Sequence, residues 1–231
     1  QKYPAIIAMR SPFMDGSMEL IDSTTMGLVK SNFTPFPGYF GGVQVQSGDF
    51  DGFNRGIVIA AGEGGAPHVL MMDASTGMVT HSFFAYSTAF RGGLFIAVGD
   101  VNNDGADDFV TGPNAGGGPH IKVFDGRTAS VLFEFMAYDP SFKGGVSVAL
   151  ADVNMDGRLD IVTGTGKGGG PHVCVFDGLN GQLLRSFMAF DSYFLGGIYV
   201  ASGDIDRDGT AEIVTGMGSG SVPLVLSLIH I

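Results

Sequence analysis

The chain has 231 residues, 45% of them hydrophobic. That is enough for a sizeable core and excludes a disordered chain. Asp and Glu number 23 against 12 Lys and Arg, a formal charge of −11. With no basic stripe to neutralise phosphates, nucleic acid is excluded as a partner, while the acidic balance suits cation binding or plain solubility.

The 38 glycines come with only 10 prolines and no three-residue period, which points to many turns and so to many short strands. Self-similarity sets the architecture. Pro67, Pro119, Pro171 and Pro223 stand 52 residues apart, and His68, His120 and His172 follow the first three. Gly-Gly pairs at 41–42, 92–93, 144–145 and 196–197 keep nearly the same spacing, each after an aromatic: Phe40, Phe90, Phe142 and Phe194. The strings FFAY (83–86), FMAYD (135–139) and FMAFD (187–191) recur as well.

In chain order, a degenerate repeat fills about 1–47, full repeats run over 48–98, 99–150 and 151–202, and a truncated one covers 203–231. All fall in a single region, 1–231. The repeat 151–202 predicts four strands, at 159–164, 172–178, 183–190 and 196–202. Each is rich in β-branched or aromatic residues and ends at Gly, Asp or Asn. DGLNG (177–181) reads as a tight hairpin turn between the second and third. No run keeps a helical period. Four antiparallel strands per 52 residues predict an all-β chain of β-propeller blades, each stacked on the next to bury both faces. The chain stops half-way through a blade and opens at Gln1 in mid-pattern. It therefore reads as an incomplete propeller fragment or a processed chain, which leaves export open.

A β-solenoid is the competing architecture. Fifty-two residues are too long for one rung of a nine-residue calcium-loaded roll, and hairpin turns require antiparallel pairing. GTGKGGGP (164–171) lacks the Gly-Lys-Ser/Thr ending of a phosphate loop, and no helix follows it. Its small residues instead let backbones approach closely and allow positive φ. Cys174, the single cysteine, permits no intrachain disulfide and reads as a partly buried strand residue. No run of about 20 apolar residues is present to span a membrane as a helix.

The acidic loops carry the most specific chemistry. DVNMDGRLD (152–160) places Asp152, Asn154 and Asp156 at positions 1, 3 and 5, the carbonyl of Arg158 at 7 and Asp160 at 9, with Gly157 at 6. Ca²⁺ wants six to eight oxygens at about 2.3–2.6 Å, and a chain wrapping an ion offers them from alternate positions. The set recurs as Asp100, Asn102, Asp104, Ala106 and Asp108, and again as Asp204, Asp206, Asp208, Thr210 and Glu212. An EF-hand would close with Glu at position 12 between helices, whereas Thr163 stands there and a strand follows. Mg²⁺ suits such a loop less well, because it demands strict octahedral geometry. The alternative is a solvated turn, since Asn, Asp and Gly favour turns. The loop at 49–56 keeps Asp49 and Asp51, then has an extra residue and an apolar one in place of the closing acid. It is expected to bind metal weakly or not at all.

The DxNxDGxxD loops, with GGAP (64–67) and GGGP (116–119, 168–171), resemble FG-GAP repeats and the related VCBS repeats of bacterial surface proteins. The resemblance covers roughly 40–223. The FG element is spread out as Phe-x-Gly-Gly (142–145), and the repeat is shorter than the integrin one, which places the chain nearer the bacterial branch. The resemblance implies a propeller with calcium sites in its loops and an extracellular interaction role, and it names no ligand.

His68, His120 and His172 could form part of a ring around a propeller axis, or each could start a strand and hydrogen-bond its own turn. The FxAY/FD aromatics could stack sugars, or fill the space between blades. No nucleophile elbow, HExxH or Ser/His/Asp pattern occurs. The reading is thus a non-enzymatic calcium-binding propeller, secreted or at the cell surface, that recognises an extracellular protein or glycan. The alternatives are a lectin-like propeller and the scaffold part of a larger secreted enzyme.

Overall fold

A computed structural model describes residues 6–8, 17–21, 28–52, 55–220 and 223–228. Among these there is no helix. The chain divides into two compact units, Gln1–Leu94 and Phe95–Ile231.

The first unit holds a three-stranded sheet of β1 (Ile6–Ala8), β2 (Met18–Ile21) and β3 (Leu28–Phe33). It also holds a four-stranded sheet of β4 (Val43–Gly48), β5 (Gly56–Ala61), β6 (His68–Asp73) and β7 (Val79–Phe84), paired in chain order. Met18, Phe36, Ile57, Ile59, Leu70 and Met72 form its core.

The second unit opens within β8 (Leu94–Gly99), which pairs on through β9 (Asp108–Pro113), β10 (His120–Phe124) and β11 (Val131–Met136). Next come β12 (Val146–Ala151), β13 (Asp160–Thr165), β14 (His172–Phe176) and β15 (Leu183–Met188). A third sheet holds β16 (Ile198–Gly203), β17 (Glu212–Met217) and β18 (Val225–Leu228). The pairings among the described strands are antiparallel, and the same bulge recurs at Met71/Met72, Val123/Phe124 and Val175/Phe176.

The sheet β12–β15 shows why the strands read as unbroken apolar runs. Successive side chains point to opposite faces. Val148, Ile161, Cys174 and Phe176 pack toward β9 and β10, while Ala149, Val162, Val173 and Val175 pack toward Ile198 and Ile213. Both faces are covered, so no polar alternation is needed. Cys174 is fully buried rather than partly so, and burial pushes its thiol pKa up. Exposure rises outward: β5, β9 and β13 are buried throughout, and β7 and β11 alternate between exposed and half-buried.

The sheets are phased one strand away from the repeats 48–98, 99–150 and 151–202. Each repeat takes three strands of one sheet and the first strand of the next. The acidic loop joins the first two strands of one sheet, so it lies inside a blade and does not begin one.

Glycine permits the close approach between blades. The Gly166 amide donates to Gly145 O at 2.8 Å, which extends the β12–β13 ladder, and the Gly168 amide donates across to Leu195 O, ahead of β16, at 2.8 Å. Gly197 has φ +80°, and a Cβ there would lie 2.6 Å from Gly166 C. The aromatic set needs one correction. Tyr39, not Phe40, matches Phe142 and Phe194, because each stands two residues before a Gly whose Cβ would strike its ring. Tyr39 joins the core, while Phe40 is exposed.

Candidate metal loops

Each complete acidic loop is a hairpin connection: 100–107 joins β8 to β9, 152–159 joins β12 to β13, and 204–211 joins β16 to β17. Position 4 is left-handed without glycine, at Asn103 (φ 58°), Met155 (59°) and Arg207 (65°). Position 6 is left-handed with glycine, at Gly105 (87°), Gly157 (84°) and Gly209 (93°). A Cβ on any of these glycines would meet nothing within 4 Å, so the turn and not crowding selects them.

The two curls fold positions 1, 3 and 5 inward. In the loop at 152–160 the Asp156 amide donates to Asp152 Oδ1 (3.1 Å) and Asn154 Oδ1 (2.9 Å). The Gly157 amide donates to Asp152 Oδ2 (2.9 Å), the Arg158 amide to Asp156 Oδ1 (2.9 Å), and Asn154 Nδ2 to Asp156 Oδ2 (3.0 Å). The loop at 100–108 repeats all five bonds on Asp100, Asn102, Asp104, Gly105 and Ala106. In the third loop Gly209, Asp208 and Thr210 donate to Asp204, Asp206 and Asp208. Asp204, Asp206 and Asp208, all exposed, each bring an oxygen within 4.8 Å of the others.

Position 9 is placed differently. Asp108, Asp160 and Glu212 are 1%, 1% and 2% exposed at the starts of their strands. Each staples the loop backbone: Asp108 Oδ2 accepts from Val101 and Asn102 N–H, Asp160 Oδ2 from Val153 and Asn154, and Glu212 Oε2 from Ile205. Glu212 lies outside the 4.8 Å set of its loop. Asp108 Oδ1 also accepts from Gly126 N–H (3.0 Å), whereas Asp160 Oδ1 is buried with no hydrogen bond. The corresponding Gly178 amide lies near the Asp160 carboxyl but outside hydrogen-bond geometry. Loss of solvent pushes both carboxyls up to about 6, against the pull of these amides.

The first loop carries a feature the motif does not reveal. Arg127 Nη1 lies 2.6 Å from Asp104 Oδ2, and Nη2 donates to the Asp104 carbonyl. The Ala106 amide, then Asn102 and this guanidinium, hold the Asp104 carboxyl below its ordinary pKa. The matching residue one repeat on is Leu179, and that difference between repeats is the signal that could have found Arg127.

The loop after β4 differs from the other three. It holds seven residues (49–55) against eight in 152–159, so it is one shorter rather than one longer. Gly56 takes the place of the closing acid, and its Cβ position would lie 2.4 Å from the Phe50 ring. Apolar packing replaces the carboxylate there; residues 53–54 lie outside the described set.

The histidine rings reach across their own sheets, while the His68 amide donates to Ala66 O in the turn before it (2.6 Å). His68 Nε2 pairs with Ser82 Oγ (2.9 Å), His172 Nε2 with Ser186 Oγ (2.7 Å) and His120 Nε2 with Glu134 (3.3 Å), each on the fourth strand of its own sheet. Burial lowers all three pKa values. The recurring aromatics Phe135, Tyr138, Phe187 and Phe190 are half-buried and pack against the core. Phe135 packs on Phe176 at 4.6 Å, and the Tyr138 hydroxyl reaches Thr163 and His172 of the next blade.

The donor set fits Ca²⁺. It is made of hard oxygens on alternate positions, includes three carboxylates held within 4.8 Å in one loop, and contains a buried, unsatisfied carboxylate oxygen in another.

No family model matches the chain. Over 136 residues, 52% of its length, it is 29% identical to integrin alpha-V of Gallus gallus, of which that stretch spans 13%. Among solved structures, Saccharomyces cerevisiae Sqt1 superposes with a TM-score of 0.61 at 12% identity, covering 98% of this chain and 59% of that one. The Dos1 propeller gives 0.59 at 14% identity, over 96% and 56%. A Bacillus licheniformis rhamnogalacturonan lyase gives 0.54 at 17% identity, over 74% and 39%. The chain thus spans less than two thirds of each of these proteins. The fold is a β-propeller of four-stranded antiparallel blades. More narrowly, over about half of its length the chain is similar in sequence to integrin alpha-V.

Proposed function

We propose that this region is a non-catalytic, calcium-binding propeller that serves recognition outside the cell. The observation that carries the reading is the cage of positions 1, 3 and 5, built with the same bonds in the loops at 100–108 and 152–160. Asp100, Asn102, Asp104 and Asp108 would hold one ion with the Ala106 carbonyl. Asp152, Asn154, Asp156 and Asp160 would hold a second with Arg158 O, and Asp204, Asp206, Asp208 and Glu212 a third with Thr210 O. A bound cation supplies neutralising charge and ties the first two strands of a blade together. Millimolar extracellular calcium suits modest sites of this kind. Likeness to integrin alpha-V over half the chain supports a secreted or surface location and a protein or glycan partner. Likeness to a rhamnogalacturonan lyase supports a second reading, a propeller that handles sugars or scaffolds a larger secreted enzyme. A glycan array tests that reading.

Thermal unfolding with calcium and with chelator tests the first. Calcium at 100 times its dissociation constant adds about 2.7 kcal/mol, so Tm rises, and the rise shrinks in both Asp156→Ala and Asp208→Ala. A folded chain whose Tm ignores calcium would return the loops to plain turns.

A further inference from the structure

Duplicated blades meet the same packing demands, so neighbouring positions in the repeat tend to carry the same residue. Where they diverge together at one place, packing does not explain the choice. Phe95, Ser147 and Tyr199 are the second residues of β8, β12 and β16, and they are chemically unlike. Ala115, Lys167 and Ser219 share one position in the turns after β9, β13 and β17, and Asn114 faces Gly166 and Gly218 in that comparison. The frame around them is kept, with Gly144 matching Gly196 and Val146 matching Ile198.

The divergent residues converge. Phe95, Asn114, Ser147, Lys167, Tyr199 and Ser219 line one cavity of about 120 Å³ in the second unit. It sits where β12 and β16 begin, whereas the acidic loops leave from the strands' other ends. The Phe95 and Tyr199 rings meet edge to face, 6.1 Å between centroids at 68°, across the small Ser147 of the strand between them. Tyr199 remains 57% exposed.

The polar lining offers donors. Lys167 makes no ion pair or hydrogen bond among the described residues and is the only charged group in the lining. Asn114 Oδ1 is taken by the Ala115 amide (2.8 Å), which leaves its NH₂ to donate. The Ser147 hydroxyl proton is used on Ile198 O and Gly164 O. No Asp or Glu lines the cavity. A cation and an amide donor beside two aromatic rings suit an anion carried on a ring whose face can lie against an aromatic one. The volume is near the roughly 150 Å³ of an apolar cavity that takes up benzene.

We propose that this cavity binds a small carboxylate borne on a six-membered ring, with Lys167 and Asn114 on the carboxylate and Phe95 and Tyr199 on the ring. The site does not depend on calcium in the loops. A sugar acid and an aromatic acid share this chemistry, and titration of the full chain separates them. The probes are D-glucuronate against D-glucose and benzoate against benzyl alcohol, read by calorimetry and ligand-observed NMR. At least one acid binds, tenfold or more tighter than its neutral counterpart, and the acid that binds identifies the source. Lys167→Met and Tyr199→Ala each weaken binding at least tenfold with Tm unchanged. Should either variant lose its fold, ligand-induced shifts of the Lys167 and Tyr199 signals in the unaltered chain decide the question. Absence of binding by both acids, equal binding of acid and neutral probe, or full affinity in Lys167→Met would overturn the proposal.

Discussion

Replacing Asp160 by Asn separates what the closing acid does with and without a cation. Asp160 is 1% exposed, and burial raises its carboxyl from 3.8 to about 6. A group whose folded pKa lies above its unfolded value holds its proton more tightly in the folded state. Folding is then undisturbed below the unfolded value and loses stability as pH rises through the folded one. Between 3.8 and about 6 the loss grows, and a shift of about two units corresponds to roughly 3 kcal/mol at pH 7.5. In chelator, Asp160→Asn is therefore expected to be more stable than the parent by up to that amount at pH 7.5, and the difference closes by pH 4. Denaturant unfolding of both chains at several pH values measures it. Comparing the two chains also cancels the three histidines, whose lowered pKa values act the opposite way. Calcium reverses the order, because a bound ion favours the carboxylate that Asn lacks. If Asp160→Asn were no more stable than the parent in chelator at pH 7.5, the account of a costly buried carboxylate would fail.

Two further substitutions probe the stacking of blades. Gly197→Ala brings a methyl to within 2.6 Å of the Gly166 backbone at a φ of +80°. It should cost about 2 kcal/mol or more, read as a lower Tm, and an unchanged Tm would contradict the close approach. Tyr138→Phe removes the hydroxyl that reaches Thr163 and His172. It strands buried acceptors at a cost of about 1–3 kcal/mol, whereas the same change at the exposed Tyr193 should cost nothing measurable.

Much of this protein is legible along the chain because its structure is a duplicated unit. Strand count and kind follow from apolar runs broken by Gly and Asp, and a β-propeller follows from four such runs per 52 residues. The loop cages are local too, because positions 1, 3 and 5 lie within five residues and the left-handed Gly157 fixes their curl. Phase was not legible, since hydrogen bonding across the 152–159 hairpin, and not the recurrence, decides that β12 belongs with β13. Nor was the difference between Tyr39 and Phe40, which depends on the ring that meets Gly41, or the depth of Asp160, which depends on covering strands. The cavity is the extreme case. Phe95 and Tyr199 are 104 positions apart, and only the stacking of three sheets brings their rings together.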